Sequence, residues 1–313
     1  MAPDGRSFIT AVALQSTSLW IHDAQGERGI SLEGNAGQPK FTPDGKKLLY
    51  RIVAEPPNEF TWFRDAGEVR VADVASGRSE PLVRGLHAVD YDISADGRQV
   101  VMQVDDSRGK QRLWVTPLDR SSPPQQIPDM EGVTPRFGPT GEIFFRRFEG
   151  LNMIGSVGSI YRVRPDGTGV RKAIEQQVLI MGDVSPDGRW IAAWAPLRGN
   201  GLPGTQLFAI DGGPPAVVIG GGTRLIWAPD GTALSFSSIL GVVPEDRSYV
   251  VPLSPGKIIP RVPVGGFRSE KEIAGLPGAR RIESRSVVPG PSPDLYAYYR
   301  GATQRNLYRV PIP

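Results

Sequence analysis

Any chemistry in this chain has to come from oxygens, guanidinium groups and aromatic rings. The chain has no Cys and two His, which removes disulfides, thiolate zinc sites and cysteine nucleophiles together. His22 precedes Asp23, and His87 lies in Arg84-Gly-Leu-His-Ala-Val89. Two separated imidazoles make a zinc site unexpected, and no Gly-x-Ser-x-Gly elbow is present to build a Ser-His-Asp triad with either. Gly199-Asn-Gly-Leu-Pro-Gly204 matches the spacing of a dinucleotide fingerprint. It opens no helix, and its Pro sits where backbone donors are needed, so it reads as a loop. Ser254-Pro-Gly-Lys257 matches a serine–lysine pattern with no helix to present the pair, and Asp105-Asp106 reads as a solvated turn. No cofactor and no catalytic residue is expected.

Four cations and one aromatic cluster remain as candidate ligand-binding residues. Lys40, Arg136, Arg224 and Arg285 each sit in a short segment, respectively Gln38-Pro-Lys-Phe41, Thr134-Pro-Arg-Phe137, Arg224-Leu-Ile-Trp227 and Ser284-Arg-Ser-Val287. Asp90, Asp92 and Asp183 are the acids of the two comparable segments. If early residues of these segments face a common channel, the cations would repel one another and welcome a carboxylate or phosphate. If strand alternation turns half of them away, or the three Asp neutralise them, that attraction vanishes. The loop Ala54–Gly67 holds Phe60, Trp62 and Phe63 beside Arg64. Such a group is either an anchor for a partner or a small satellite core.

The elements that must position these residues are announced by a repeat. Pro-Asp-Gly or a close variant recurs with its fourth turn residue at 5, 45, 97, 141, 188, 231 and 295, usually followed by an apolar strand such as Trp190-Ile-Ala-Ala-Trp194. A fixed turn at a spacing of about 40–50 residues is the mark of a repeat architecture. Pro presets the first corner, Asp bonds the backbone just ahead, and Gly takes the left-handed position, so each copy joins two antiparallel strands. Thr140 replaces Asp in one copy and Leu295 replaces Gly in another.

Composition agrees. The 38 Gly and 30 Pro suit many short strands, and 36 basic against 33 acidic residues leave no clustered stripe for nucleic acid. No apolar run approaches a membrane span, and Met1-Ala-Pro-Asp4 lacks the features of a signal peptide. Four strands per unit describe a propeller blade. Reading three strands in the first unit (Ser7–Leu14, Ser18–His22, Gly29–Leu32) and three in the last (Ser284–Val288, Leu295–Arg300, Asn306–Pro311) predicts an all-β, single-domain propeller over residues 1–313. On that reading it has seven blades, with six as the alternative, and two strands trimmed ahead of Met1. Ser254–Arg268 reads as an inserted loop and Glu270–Ala274 as a delayed fourth strand.

The turns, together with third strands such as Leu113-Trp-Val115, Ile160-Tyr-Arg-Val163 and Leu307-Tyr-Arg-Val310, resemble the WD40-like repeats of the TolB β-propeller family. C-terminal propellers of bacterial serine/threonine kinases and transcriptional regulators are similar. The resemblance implies a non-enzymatic binding or sensing domain, monomeric and extracytoplasmic, in a larger bacterial signalling chain. Its loop face and channel mouth would hold a protein, a peptide or a small anionic ligand. The alternative is a propeller lyase or hydrolase with an acidic or calcium site in the channel. The α/β-hydrolase that accompanies some TolB-like propellers is absent from this sequence.

Overall fold

The Pro-Asp-Gly corner forms as its residue types require. In the computed structural model, which describes residues 7–31, 34–54, 65–148, 156–197, 203–210, 212–241 and 246–311, Gly45 N–H donates to the Thr42 carbonyl at 2.9 Å, with φ +68° at Gly45. The Asp44 carboxylate accepts the Lys46 N–H at 3.1 Å and the Thr42 hydroxyl at 2.6 Å. The same arrangement recurs around Asp96 and Asp187. Where Thr140 replaces Asp, the Gly141 N–H still closes the turn on Gly138 at 3.0 Å. The copy at Pro3–Gly5 lies outside the described residues.

These turns generate β1 (Ser7–Asp23) and β2 (Gly26–Ser31), then β3 (Asn35–Phe41), β4 (Lys47–Val53), β5 (Gly67–Asp73) and β6 (Ser79–Pro81), with a short β7 (His87–Ala88) that also pairs with β5. The next sheet holds β8 (Asp90–Ile93), β9 (Gln99–Asp105), β10 (Gln111–Pro117) and β11 (Gln125–Glu131). It is followed by β12 (Val133–Phe137), β13 (Ile143–Phe148), β14 (Gly158–Val163) and β15 (Arg171–Val178). Then come β16 (Ile180–Val184), β17 (Trp190–Pro196), β18 (Pro203–Ala209) and β19 (Ala216–Trp227). The chain ends with β20 (Ala233–Gly241), β21 (Ser248–Pro252), the helix α1 (Glu270–Ala274), β22 (Arg280–Ile282), β23 (Val287–Pro289) and β24 (Tyr296–Pro311).

The described strands fall into six four-stranded antiparallel sets, the smaller of the two expected counts. β3–β6, β8–β11 and β12–β15 form blades 1, 2 and 3. Blades 4 and 5 share β19, whose first half pairs with β18 and second half with β20, so that seven strands run in one ladder. Blade 6 is assembled from both ends of the chain in the order β23-β24-β1-β2. The seven-blade reading split two long strands: β1 runs unbroken through Gln15–Thr17 and β24 through Gly301–Arg305, and the two pair from Ser7↔Pro311 to His22↔Tyr296.

A second expectation is corrected at Glu270–Ala274, which is helical rather than a strand. Glu270 and Glu272 lie in its first turn, where the helix dipole favours acids, and Ile273 is its buried residue. The fourth strand of blade 5 is β22, farther on. The Ser254–Arg268 stretch is a loop, and it packs Ile258, Ile259 and Val262 on the core of blade 5. Among the described residues no helix is long and apolar enough to cross a membrane.

The core is a series of slices between neighbouring blades: Leu49 and Val69 meet Tyr91 and Met102, and Val101 and Leu113 meet Phe137 and Phe145. Polar bonds register the same seams. The Tyr91 hydroxyl donates to the Gln38 carbonyl, the Thr134 N–H to Gln103 Oε1 at 3.1 Å, and the Thr205 hydroxyl to the Thr223 carbonyl at 2.7 Å.

The turns also touch one another. A Cβ added to Gly188 would lie 2.5 Å from Pro139 Cγ, one at Gly45 2.8 Å from Pro291 Cγ, and one at Gly97 3.2 Å from Pro43 Cδ. The proline of one corner thus rests on the glycine of the next blade's corner. Gly141, whose preceding corner has Ala95 instead of Pro, has open space where a Cβ would go. Gly141→Ala should therefore cost about 1 kcal/mol for the left-handed backbone, and Gly188→Ala about 2–3 kcal/mol because the Pro139 clash is added. Urea unfolding of the two variants checks this; equal losses would mean that the proline contact carries no energy.

Candidate functional site

Counting back five residues from each turn glycine reaches Lys40, Asp92, Arg136, Asp183 and Ile226 on blades 1 to 5, and Val288 takes the matching place on blade 6. These positions ring the propeller axis. Irregular register leads up to Lys40 (from Gly37) and Arg136 (from Val133) and spans Asp183 (between Met181 and Val184). Gln38 and Thr134 there adopt φ of +54° and +52°. A bulge re-aims the side chains that follow it, so simple alternation does not decide which residues face the axis.

The four charged members pair with one another. Lys40 Nζ lies 2.7 Å from Asp92 and 3.4 Å from Asp183, a contact that crosses the axis between opposite blades. Arg136 reaches Asp183 through Nε at 2.9 Å and Asp90 through Nη1 at 3.1 Å. The second oxygen of Asp92 accepts the Phe137 N–H at 2.8 Å. Burial alone would raise the Asp183 pKa, but Lys40, Arg136 and Arg224 outweigh it and bring it from 3.8 down to about 2. Burial likewise opposes the charge on Arg136, and Asp90, Asp183 and Asp92 more than offset it, leaving the guanidinium above its ordinary value.

Above this ionic floor lies a cavity of about 160 Å³, lined by the inner strands of all six blades as they run into their turns. Phe41, Ile93, Phe137, Val184 and Trp227 form its walls, and Pro43, Ala95, Pro139, Pro186 and Pro229 its rim. The Trp227 indole is fixed by its N–H to the Ile258 carbonyl at 2.6 Å, so the inserted loop of blade 5 helps shape the mouth. The cavity opens on the face that carries the Pro-Asp-Gly corners, not among the loops opposite.

Of the predicted site residues, Lys40 and Arg136 come together here, already matched to carboxylates. Arg224 is half-buried two residues before Ile226 and acts on Asp183 through its charge. Arg224 and Arg285 are not among the residues lining the cavity. Phe60, Trp62 and Arg64 lie outside the described residues. The apolar wall residues were overlooked in the sequence, although each stands next to a ring position and four residues before a turn glycine.

No family model and no curated protein sequence matches the chain. Among solved structures it is similar to the putative TolB of Agrobacterium tumefaciens, 17% identical, with a TM-score of 0.63 over 92% of this chain and 99% of that one. TolB of Acinetobacter baumannii is 16% identical with a TM-score of 0.55, and the match spans 75% of this chain and 60% of that one. A nidogen/laminin complex chain is 10% identical with a TM-score of 0.50 over 76% of this chain and 90% of that one. The class is thereby defined: this is a β-propeller with the TolB-like fold.

The ionic floor has a pH signature. A carboxyl whose pKa is depressed in the folded state stabilises above its unfolded value and loses that contribution as pH falls through the folded one. For Asp183 the window runs from about pH 4 down to about pH 2, and the contribution is on the order of 2 kcal/mol. Asp183→Asn should cost about 2–4 kcal/mol at neutral pH, since Lys40 and Arg136 lose a shared partner, and should flatten the stability profile across that acid window. Denaturant unfolding between pH 2 and 7 tests this; parallel profiles for variant and wild type would exclude Asp183 as the titrating group.

Proposed function

We propose that the propeller is a non-catalytic binding domain that receives a side chain of a protein or peptide partner at its axial mouth. One observation carries the reading: the mouth is a socket about 160 Å³ in size, walled by aromatic and aliphatic side chains and floored by paired charges. Pockets that enclose a small-molecule substrate are larger, about 300–1,000 Å³. A socket of this size suits a single anchoring side chain of a larger partner, the kind of contact that dominates protein recognition. The three axial carboxylates support the same reading, because each already accepts from a cation or a backbone N–H. A general acid or a metal ligand would have to give up those bonds first.

Ala95 is an exposed rim residue, so Ala95→Trp should fill the mouth without disturbing the core. Peptides selected from a displayed random library on the wild-type protein are expected to bind the variant at least tenfold more weakly, read by fluorescence anisotropy. Peptides that bind both proteins equally would place recognition away from the axis and overturn the proposal.

A further inference from the structure

A second concave surface lies at the outer edge of blade 3, away from the axis. It is a cleft of about 400 Å³ whose lining includes Arg162, Arg164 and Arg171 against a single acid, Glu142. Arg162 on β14 and Arg171 on β15 are direct partners in the antiparallel ladder. Like charges placed opposite each other in a ladder destabilise it, and an opposite or neutral partner is the usual arrangement.

Among the described residues no ion pair joins Arg162 or Arg171 to Glu142, the one acid of the cleft. The Glu142 carboxylate accepts the Thr140 hydroxyl. Asp166, in the adjoining turn, accepts the Thr168 N–H at 2.8 Å and its hydroxyl at 2.7 Å, and Thr168 chiefly, with Arg164 more weakly, holds its carboxyl below the ordinary value. Arg164 in turn donates to the Thr168 hydroxyl at 3.3 Å. Arg164 therefore has its surroundings, whereas Arg162 Nε is buried with no hydrogen-bond partner among the described residues. Arg162 and Arg171 thus stand directly opposite each other in the ladder, and among the described residues neither is paired with a carboxylate.

We propose that this cleft binds a tetrahedral dianion, the phosphate or sulfate group of a small ligand, between Arg162 and Arg171. The chemistry matches in charge, since one dianion neutralises the opposed pair. It matches in geometry, because each planar guanidinium can donate two parallel bonds to neighbouring oxygens of such a group. The volume lies within the range of small-ligand pockets, and Val170, 43% exposed, offers an apolar wall for the rest of the molecule. This site is independent of the axial socket and of any partner held there.

Calorimetric titration of the whole protein at low ionic strength with inorganic sulfate, inorganic phosphate and glycerol phosphate tests the proposal, with chloride as the control. Saturable binding of the dianions and none of chloride is expected, with Arg171→Gln weakening it at least tenfold and Arg162→Gln doing the same. Tighter binding of glycerol phosphate than of inorganic phosphate supports an esterified ligand, and the reverse order supports the free ion. Arg171 is exposed, so Arg171→Gln should fold normally, and without ligand it should melt no lower than wild type, because a repulsive pair has been removed. Absence of saturable binding, dianion affinity unchanged in Arg171→Gln, or a lowered melting temperature for the unliganded variant would overturn the assignment.

Discussion

A ring of twisted sheets must close, and here closure falls on one ladder, β1 against β24. Its pairs join residues that are almost the whole chain apart, from Ser7↔Pro311 to His22↔Tyr296. Only when that ladder forms does blade 6 exist, and only then do blades 1 and 5 both gain a second neighbour. The seam it creates is itself bonded: the Thr17 N–H reaches Asn35 Oδ1 at 3.2 Å, and Arg28 donates to the Val74 carbonyl at 2.7 Å. Contacts of such large sequence separation are paid for in loop entropy before they return anything, so closure belongs late in folding. The axial site inherits this dependence, because its wall is incomplete until Val288 and Pro289 are in place.

The paired charges at the axis follow from the same closure. Buried ion pairs seldom stabilise a fold more than well-packed apolar residues would, since desolvation consumes most of the Coulomb gain. Their contribution here is registration. Lys40 can reach Asp183 only if blades 1 and 4 stand across the axis from each other, and Arg136 can bridge Asp90 and Asp183 only if blades 2, 3 and 4 are neighbours. Blades 5 and 6 place Ile226 and Val288 at the same level, so the floor is ionic on one side and apolar on the other.

The sequence made the blades legible because a turn motif with a definite backbone requirement recurs at a steady spacing. It also exposed the axial residues as a set: Lys40, Asp92, Arg136 and Asp183 stand in line once the turn glycines are aligned. Two features stayed hidden for physical reasons. Gln15–Thr17 and Gly301–Arg305 look like interruptions, since Gly301, Thr303 and Gln304 carry none of the apolar alternation that marks a strand, yet cross-strand pairing carries both strands through. The bulges at Gln38 and Thr134 leave no local signal either, because left-handed backbone at a non-glycine residue is imposed by its surroundings. Without them, alternation alone left open whether Lys40 and Arg136 faced the channel or turned away from it.

The recurring corner does two jobs, and the second explains why the axial mouth has a fixed shape. Within a blade, Pro-Asp-Gly reverses the chain. Between blades, each proline that seats on the next glycine ties one rim position to its neighbour, as Pro139 does on Gly188 and Pro186 on Gly231. Pro43, Pro139 and Pro186, which make these contacts, also rim the cavity. A mouth held by backbone and proline rings has few rotamers to lose, so ordering it costs little entropy. The corner at Ala95 has no proline to seat on Gly141, and a Cβ added to Gly141 would meet open space.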